Sequence, residues 1–335
     1  MEVCAKLEKA LLTYPTHRAL LTVPAGCPVL NERKTISWSD ELRRCLHPLG
    51  KTWAIAEDTR HCEHHPGISI LTRTLTCVAG KLGHDSRVTA LVVSSDGRWV
   101  ATASEDSTII LWDARDACIS QEWLAHTGKV WDLAFSPDGR HLASAGAERK
   151  IAIWDIGGSP RQPSTCLERG ELPIIAVFSP SSTHIAVGYT SGTTRVWDLA
   201  TRGQPLLLPG HEDWVHDVAF SPNGQLLLSA AQDKTIKVWD VHTGSVVHLL
   251  EEHEDGVCKA CFSPCGKYIA SASDDETVRV WRTGDGLCLA TLSDHGSRVD
   301  YVAFTPDGTM LWSAVRNGTV QGRRLQDVIP NEFKL

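Results

Sequence analysis

The 335-residue sequence has no uninterrupted run of about 18 apolar residues, so no membrane-spanning helix is expected. It also lacks an excess of basic charge. Lys and Arg total 33 against 40 Asp and Glu, a formal net charge of -7, which argues against a general binder of phosphate backbones. Gly-rich phosphate loops, His-Glu-x-x-His and Gly-x-Ser-x-Gly are all missing, and nothing positions a nucleophile beside a base. No catalytic residue, cofactor or metal is therefore expected, and direct contact with nucleic acid is not expected either. The first residues, MEVCAKLEKALLTYP, carry charges through their apolar stretch and lack the continuous h-region of a signal peptide. The chain is accordingly expected in the cytoplasm or nucleus. Its 11 irregularly placed cysteines then read as reduced thiols, not as a disulfide framework.

What is present is ordinary in amount and regular in pattern. Apolar residues make up 42% and charged residues 22%, as in soluble globular chains, and the 26 Gly and 16 Pro are spread through turns. Residues 210–240, GHEDWVHDVAFSPNGQLLLSAAQDKTIKVWD, set the theme. Alternation through VHDVAF, LLLSA and TIKVWD, broken at Ser221-Pro222-Asn223-Gly224 and Gln232-Asp233-Lys234, predicts three antiparallel strands joined by tight turns. One such unit cannot cover its own faces, and the chain supplies the cover by repeating it.

From Gly83 onward, His84, His126, His211, His253 and His295 each stand 28 positions before a matching site. That site holds Trp112, Trp154, Trp239 and Trp281 in four cases and Arg323 in the last; Trp197 falls between, with Arg169 in place of its His. The Trp-to-Trp spacings are 42, 43, 42 and 42. Asp113, Asp155, Asp198 and Asp240 follow four of the Trp residues, and Arg282 follows Trp281. Six units in register over residues 75–324, Gly-His early and Trp-Asp late, resemble the WD40 repeat family. The resemblance implies an all-β propeller.

It also implies a structural tetrad, with Ser or Thr, Asp and Trp at 18, 22 and 28 residues after the His. The sets are His84, Thr102, Asp106 and Trp112; His211, Ser229, Asp233 and Trp239; and His253, Ser271, Asp275 and Trp281. The second unit has His126, Ser144 and Trp154 with Glu148 for Asp. The third keeps only Trp197, with Val187 and Ser191 at two of the other places, and the sixth has His295 and Ser313 with Asn317 and Arg323. Carboxylate to imidazole to hydroxyl to indole is a chain in which each group supplies what its neighbour lacks. A Ser-His-Asp set invites a catalytic reading, but a triad occurs once per active site and this set recurs at a fixed period.

Upstream, residues 1–16 read as an amphipathic helical arm and residues 17–82 as a divergent blade with an insertion near 31–48. Residues 51–58 parallel 98–106, residues 67–71 parallel 108–112, and residues 75–82 lead into Gly83-His84 as an outer strand would. The pattern favours seven blades, with six the competing count, in which 75–82 would complete the last blade. The six repeats then run over 83–324 and a tail over 325–335. His61-Cys62-Glu63-His64-His65 clusters zinc-type donors without a second half at usable spacing and reads as a titratable loop. Cys258, Cys261 and Cys265 have metal-like spacing, but Cys261 sits where other repeats place Ala219 and Ala303, so no metal is assigned there.

The family binds partners on the loops joining outer strand d to inner strand a and strand b to strand c, 3, 5 and 21 residues after the His. Here these positions are Arg87, Thr89 and Glu105; Lys129, Trp131 and Ala147; Trp214, His216 and Gln232; Gly256, Cys258 and Asp274; and Arg298, Asp300 and Arg316. Tryptophan and arginine dominate interaction hot spots, so this face is the expected contact surface. The resemblance thus implies a non-enzymatic scaffold within a complex of other proteins. One alternative is a cullin-type ubiquitin ligase substrate receptor, from the Trp-Asp-x-Arg box with Asp113 and Arg115 as adaptor contacts. Another is a reader of basic peptides such as histone tails.

Overall fold

The computed structural model describes residues 83–115, 118–158, 163–167, 170–201, 203–316 and 318–333. The expected N-terminal arm, the divergent blade and the donor cluster at 61–65 lie outside the described residues.

Strands form where the sequence alternates. In the fourth repeat Val215–Phe220, Leu226–Ala231, Ile236–Asp240 and Val246–Leu250 (strands a to d) pair in chain order as one antiparallel sheet. Serine and glycine chemistry closes the a–b turn. The Ser221 hydroxyl accepts the Leu226 N–H at 2.9 Å and donates to Asn223 Oδ1 at 2.7 Å, while Gly224 takes the left-handed φ of 72° that the turn requires. Strand b is buried from Leu227 to Ala231, on both of its faces, because neighbouring strands and sheets cover it. Strand d has one covered side only, and Val246, Val247 and Leu249 are exposed.

The same meander builds five four-stranded sheets, at 88–124, 130–167, 173–208, 215–250 and 257–292, and a sixth at 299–324 with three strands among the described residues. A short helix, Leu325–Val328, and a 3-10 turn, Pro330–Phe333, follow. No helix among the described residues is long and apolar enough to cross a membrane.

The repeats fall into two compact units that part between Ala176 and Val177. In the first, Ala101, Leu111, Val130, Leu142 and Trp154 belong to one buried cluster. In the second, Leu228, Ile236, Val238, Val257 and Ile269 make one cluster and Val278, Val280, Val299 and Val302 another. A wholly buried Ile or Val of this kind contributes about 1.5–3 kcal/mol, so stability is distributed along the repeats.

Candidate functional site

The loops of the first, second, fourth and fifth repeats are pinned by a buried polar chain. In the fourth, His211 Nδ1 lies 2.8 Å from Asp233 Oδ2 and Nε2 lies 2.7 Å from Ser229 Oγ, which accepts the Trp239 indole N–H at 2.8 Å. The first and fifth repeats repeat this with His84, Thr102, Asp106 and Trp112, and with His253, Ser271, Asp275 and Trp281. A carboxylate only accepts, so Nδ1 carries the proton, the hydroxyl donates to Nε2, and its lone pair takes the indole N–H. That tautomer is neutral. Burial pushes the His84, His126 and His295 imidazoles below their ordinary value of 6.5. Burial works against the Asp233 charge, yet the hydrogen bonds from His211 and Thr235 hold its carboxyl well below the usual carboxylate range.

A further member was missed in the sequence. Thr108, Thr235 and Thr277 place Oγ1 2.9, 3.1 and 3.4 Å from the same His Nδ1 atoms and donate to the second oxygen of the same Asp. Asp-x-Thr recurs in these three repeats and was a usable signal. In the second repeat Glu148 Oε1 reaches His126 at 2.6 Å. In the third, Val187 stands where the hydroxyl would be, and the buried Trp197 Nε1 has no hydrogen-bond partner. In the sixth, His295 Nε2 lies 2.9 Å from Ser313 Oγ, and Arg323 reaches Asp294 at 2.6 Å.

Two backbone devices recur where the contact positions sit. Strand a slips register at Val88/Ala90, Val130/Asp132, Val215/Asp217, Val257/Lys259 and Val299/Tyr301. The residue left out of the ladder is Thr89, Trp131, His216, Cys258 or Asp300 in turn, the position five after the His. A bulge of this kind re-aims its side chain out of the strand's alternation. Then the N–H of Glu105, Ala147, Gln232, Asp274 and Arg316 donates to the carbonyl of Arg87, Lys129, Trp214, Gly256 and Arg298, at 2.8–2.9 Å. Positions 3 and 21 of these five repeats are thereby joined beside the bulge.

Each compact unit fills these positions differently. In the first, Glu105 reaches Lys129 Nζ at 3.1 Å and Arg87 at 4.0 Å, and Lys129 Nζ lies 5.9 Å from the centre of the half-buried Trp131 ring. Thr89 donates to the Val130 carbonyl. In the second, His216 Nε2 lies 2.8 Å from Gln232 Oε1, and the Gln232 amide packs over Gly256, where a Cβ would stand 2.5 Å from it and displace it. Trp214 stands out with 52% of its surface exposed. Arg298 Nε bridges Asp274 at 2.6 Å and Asp300 at 2.7 Å, and Arg316 is exposed. Burial raises the Asp300 carboxyl above its usual range and pushes the Cys258 thiol far up, so Cys258 is a protonated donor to Asp274 at 2.8 Å. Such a thiol is inert as a nucleophile.

At the other end of the strands Asp113 Oδ1 accepts the Arg115 N–H at 2.9 Å, and Arg115 is exposed. The fifth repeat has Arg282 instead of Asp, and its guanidinium reaches Asp285 at 2.7 Å and Glu332 at 2.6 Å.

Comparison with known proteins agrees with this geometry. A family model described as WD domain, G-beta repeat matches residues 74–113, 118–155, 165–198, 204–240, 244–282 and 286–321. The WD repeat-containing protein SL1-17 of Schistosoma mansoni is 30% identical over 157 residues, 47% of this chain and 52% of that protein. The target of rapamycin complex subunit wat1 of Schizosaccharomyces pombe is 42% identical over 41 residues, 12% of this chain and 13% of its own. The nuclear distribution protein PAC1 of Mycosarcoma maydis is 46% identical over 55 residues, 16% of this chain and 12% of its own. The chain thus spans about half the length of the first relative and far less of the other two. With six matched segments over more than half of its length, each ending in the c strand of an antiparallel sheet, the chain belongs to the WD40 repeat family.

Proposed function

We propose that the chain is a non-enzymatic scaffold that assembles with other proteins, and that partners dock on the loops carrying positions 3, 5 and 21 of each repeat. The observation that carries this is the recurrent backbone bond between positions 3 and 21, above which Trp214 is 52% exposed, whereas the bulged Thr89, His216, Cys258 and Asp300 are buried. The Gln232 N–H bond to the Trp214 carbonyl holds that exposed residue on fixed backbone, which lowers the ordering cost of binding. A tryptophan that becomes buried in an interface can contribute about 2 kcal/mol or more. The relative named as a complex subunit fits a role in assemblies. Affinity capture with the wild-type chain and with Trp131→Ala, Trp214→Ala and the double variant tests the reading. Partners should be lost with the tryptophans while circular dichroism stays unchanged, since neither belongs to a tetrad. Retention of every partner by the double variant contradicts it.

A second reading, a ubiquitin ligase substrate receptor, is favoured by the exposed Arg115 beside Asp113. Arg115→Ala should then abolish co-purification of a large propeller adaptor and leave the fold intact; absence of any adaptor with the wild-type chain ends it. A reader of basic peptides ranks below both, because Arg298 offsets the charge of Asp274 and Asp300.

A further inference from the structure

On the side of the a–b and c–d turns, the unit from Val177 onward holds a groove of about 510 Å³. Its apolar lining comes from Leu226 and Val247 of the fourth sheet and Tyr268 of the fifth. The polar end is set by the substitution that distinguishes the fifth repeat. Asp240, at the equivalent place in the fourth, turns inward and accepts the His242 and Thr243 N–H groups at 2.9 and 2.8 Å, closing its own turn. In the fifth repeat the backbone closes the turn without that help, Gly286 N–H donating to the Arg282 carbonyl at 2.8 Å. The Arg282 side chain is thus released from the turn: Nη1 donates to Asp285 Oδ2 at 2.7 Å, and Nη2 donates to Glu332 Oε1 at 2.6 Å in the groove, with Tyr268 Oη 3.5 Å from Glu332 Oε2.

The donors here exceed what Glu332 uses. Thr283 lines the groove, is 8% exposed, and its buried hydroxyl has no hydrogen-bond partner. Lys267, also in the lining, is exposed and makes no ion pair among the described residues. The guanidinium arm that Asp285 leaves to Glu332, an ammonium and an unused hydroxyl beside apolar walls match a carboxylate attached to an apolar body. Glu332 already presents that group from the chain's own 3-10 turn. We propose that this groove docks a short partner segment carrying one carboxylate next to an apolar side chain, the carboxylate taking the place that Glu332 holds on Arg282. The site lies at the opposite end of the strands from the loops proposed above and does not depend on them.

The test uses the full chain and an array of acetylated hexapeptide amides, each with one central Glu or Asp flanked by Leu, Val or Phe, beside their Gln and Asn counterparts. Acidic members should bind, and their amide counterparts should bind at least about tenfold more weakly, the loss of one charge-assisted contact. Glu332→Gln should strengthen binding of the acidic members, and Arg282→Gln should abolish the preference for acid over amide. Thr283→Val, nearly isosteric and without a hydrogen bond to lose, should weaken acidic binding with the far-ultraviolet spectrum unchanged, which separates recognition from loss of fold. Absence of binding to the Glu332→Gln chain, equal binding of acids and amides, or an acid preference that survives Arg282→Gln overturns the proposal.

Discussion

Glu148 is one methylene longer than the Asp that holds its place in the first, fourth and fifth repeats, and Gly146 makes room for it. A Cβ at Gly146 would stand 2.2 Å from His126 Nδ1 and 2.4 Å from Glu148 Oε2, where the other three repeats carry Ser104, Ala231 and Ser273. Gly146→Ala should therefore cost about 1–3 kcal/mol by overpacking. Adding Glu148→Asp should recover most of that, because the imidazole can then take the seat it has beside Ala231. Denaturant midpoints of the single and double variants check the pairing; a double variant no more stable than Gly146→Ala contradicts it. Asp233→Ala should cost about 1–3 kcal/mol by leaving the buried His211 N–H without its acceptor, whereas Ser191→Ala, at an exposed turn, should cost far less. Equal losses would remove the tetrad's claim to stability. The family resemblance, set in register by the His-to-Trp period, pointed to His211, Ser229, Asp233 and Trp239, because a network repeated at a fixed offset writes its period into the chain. It did not point to the Gly146–Glu148 pairing, which depends on a clearance of a few ångströms.

At the level of elements, the strands and turns were legible because alternation and turn residues are local. The bulges were not. An extra residue in strand a leaves the His-to-Trp spacing unchanged, so only the pairing register reveals that Trp131 and His216 are out of the ladder. The groove was hidden for a different reason: Arg282 meets Glu332, which stands 50 positions further along the chain. Outer strands follow from burial on one side. Val246–Leu250 presents an apolar edge, and Leu249 stands opposite Lys237 across the strand pair. Leu249→Glu should keep or raise stability by about 0.2–1 kcal/mol through the cross-strand pair and should reduce aggregation on heating. A loss beyond 1 kcal/mol, on the order of a buried contact, would mean that Leu249 packs inward. Melting and light scattering recorded together separate the two.

Across the whole molecule the repeated tetrads couple stability to pH with one sign. Imidazoles of His84, His126 and His295 sit below their ordinary 6.5, so the unfolded chain binds protons that the folded chain resists. Their contribution is complete above about 6.5 and is lost as pH falls below that value. The Asp233 and Asp275 carboxyls, burdened by burial but held down by hydrogen bonds from His211 and His253, add a second loss below their ordinary 3.8. Urea midpoints should thus fall between pH 7.5 and 5.5 and fall again below about pH 4; a flat or rising profile over the first interval contradicts the neutral tautomer.

The central claim is that partners meet the loops at which positions 3, 5 and 21 converge, and lysines report on it from known places. Lys129 and Lys234 lie at that end of the strands, and Lys267 lies in an a–b turn at the other end. Amine-reactive cross-linking of the captured complex, read by mass spectrometry, should place partner cross-links on Lys129 and Lys234 and lose them in the Trp131→Ala, Trp214→Ala variant. Cross-links confined to Lys267, unchanged by the tryptophan substitutions, would contradict the account.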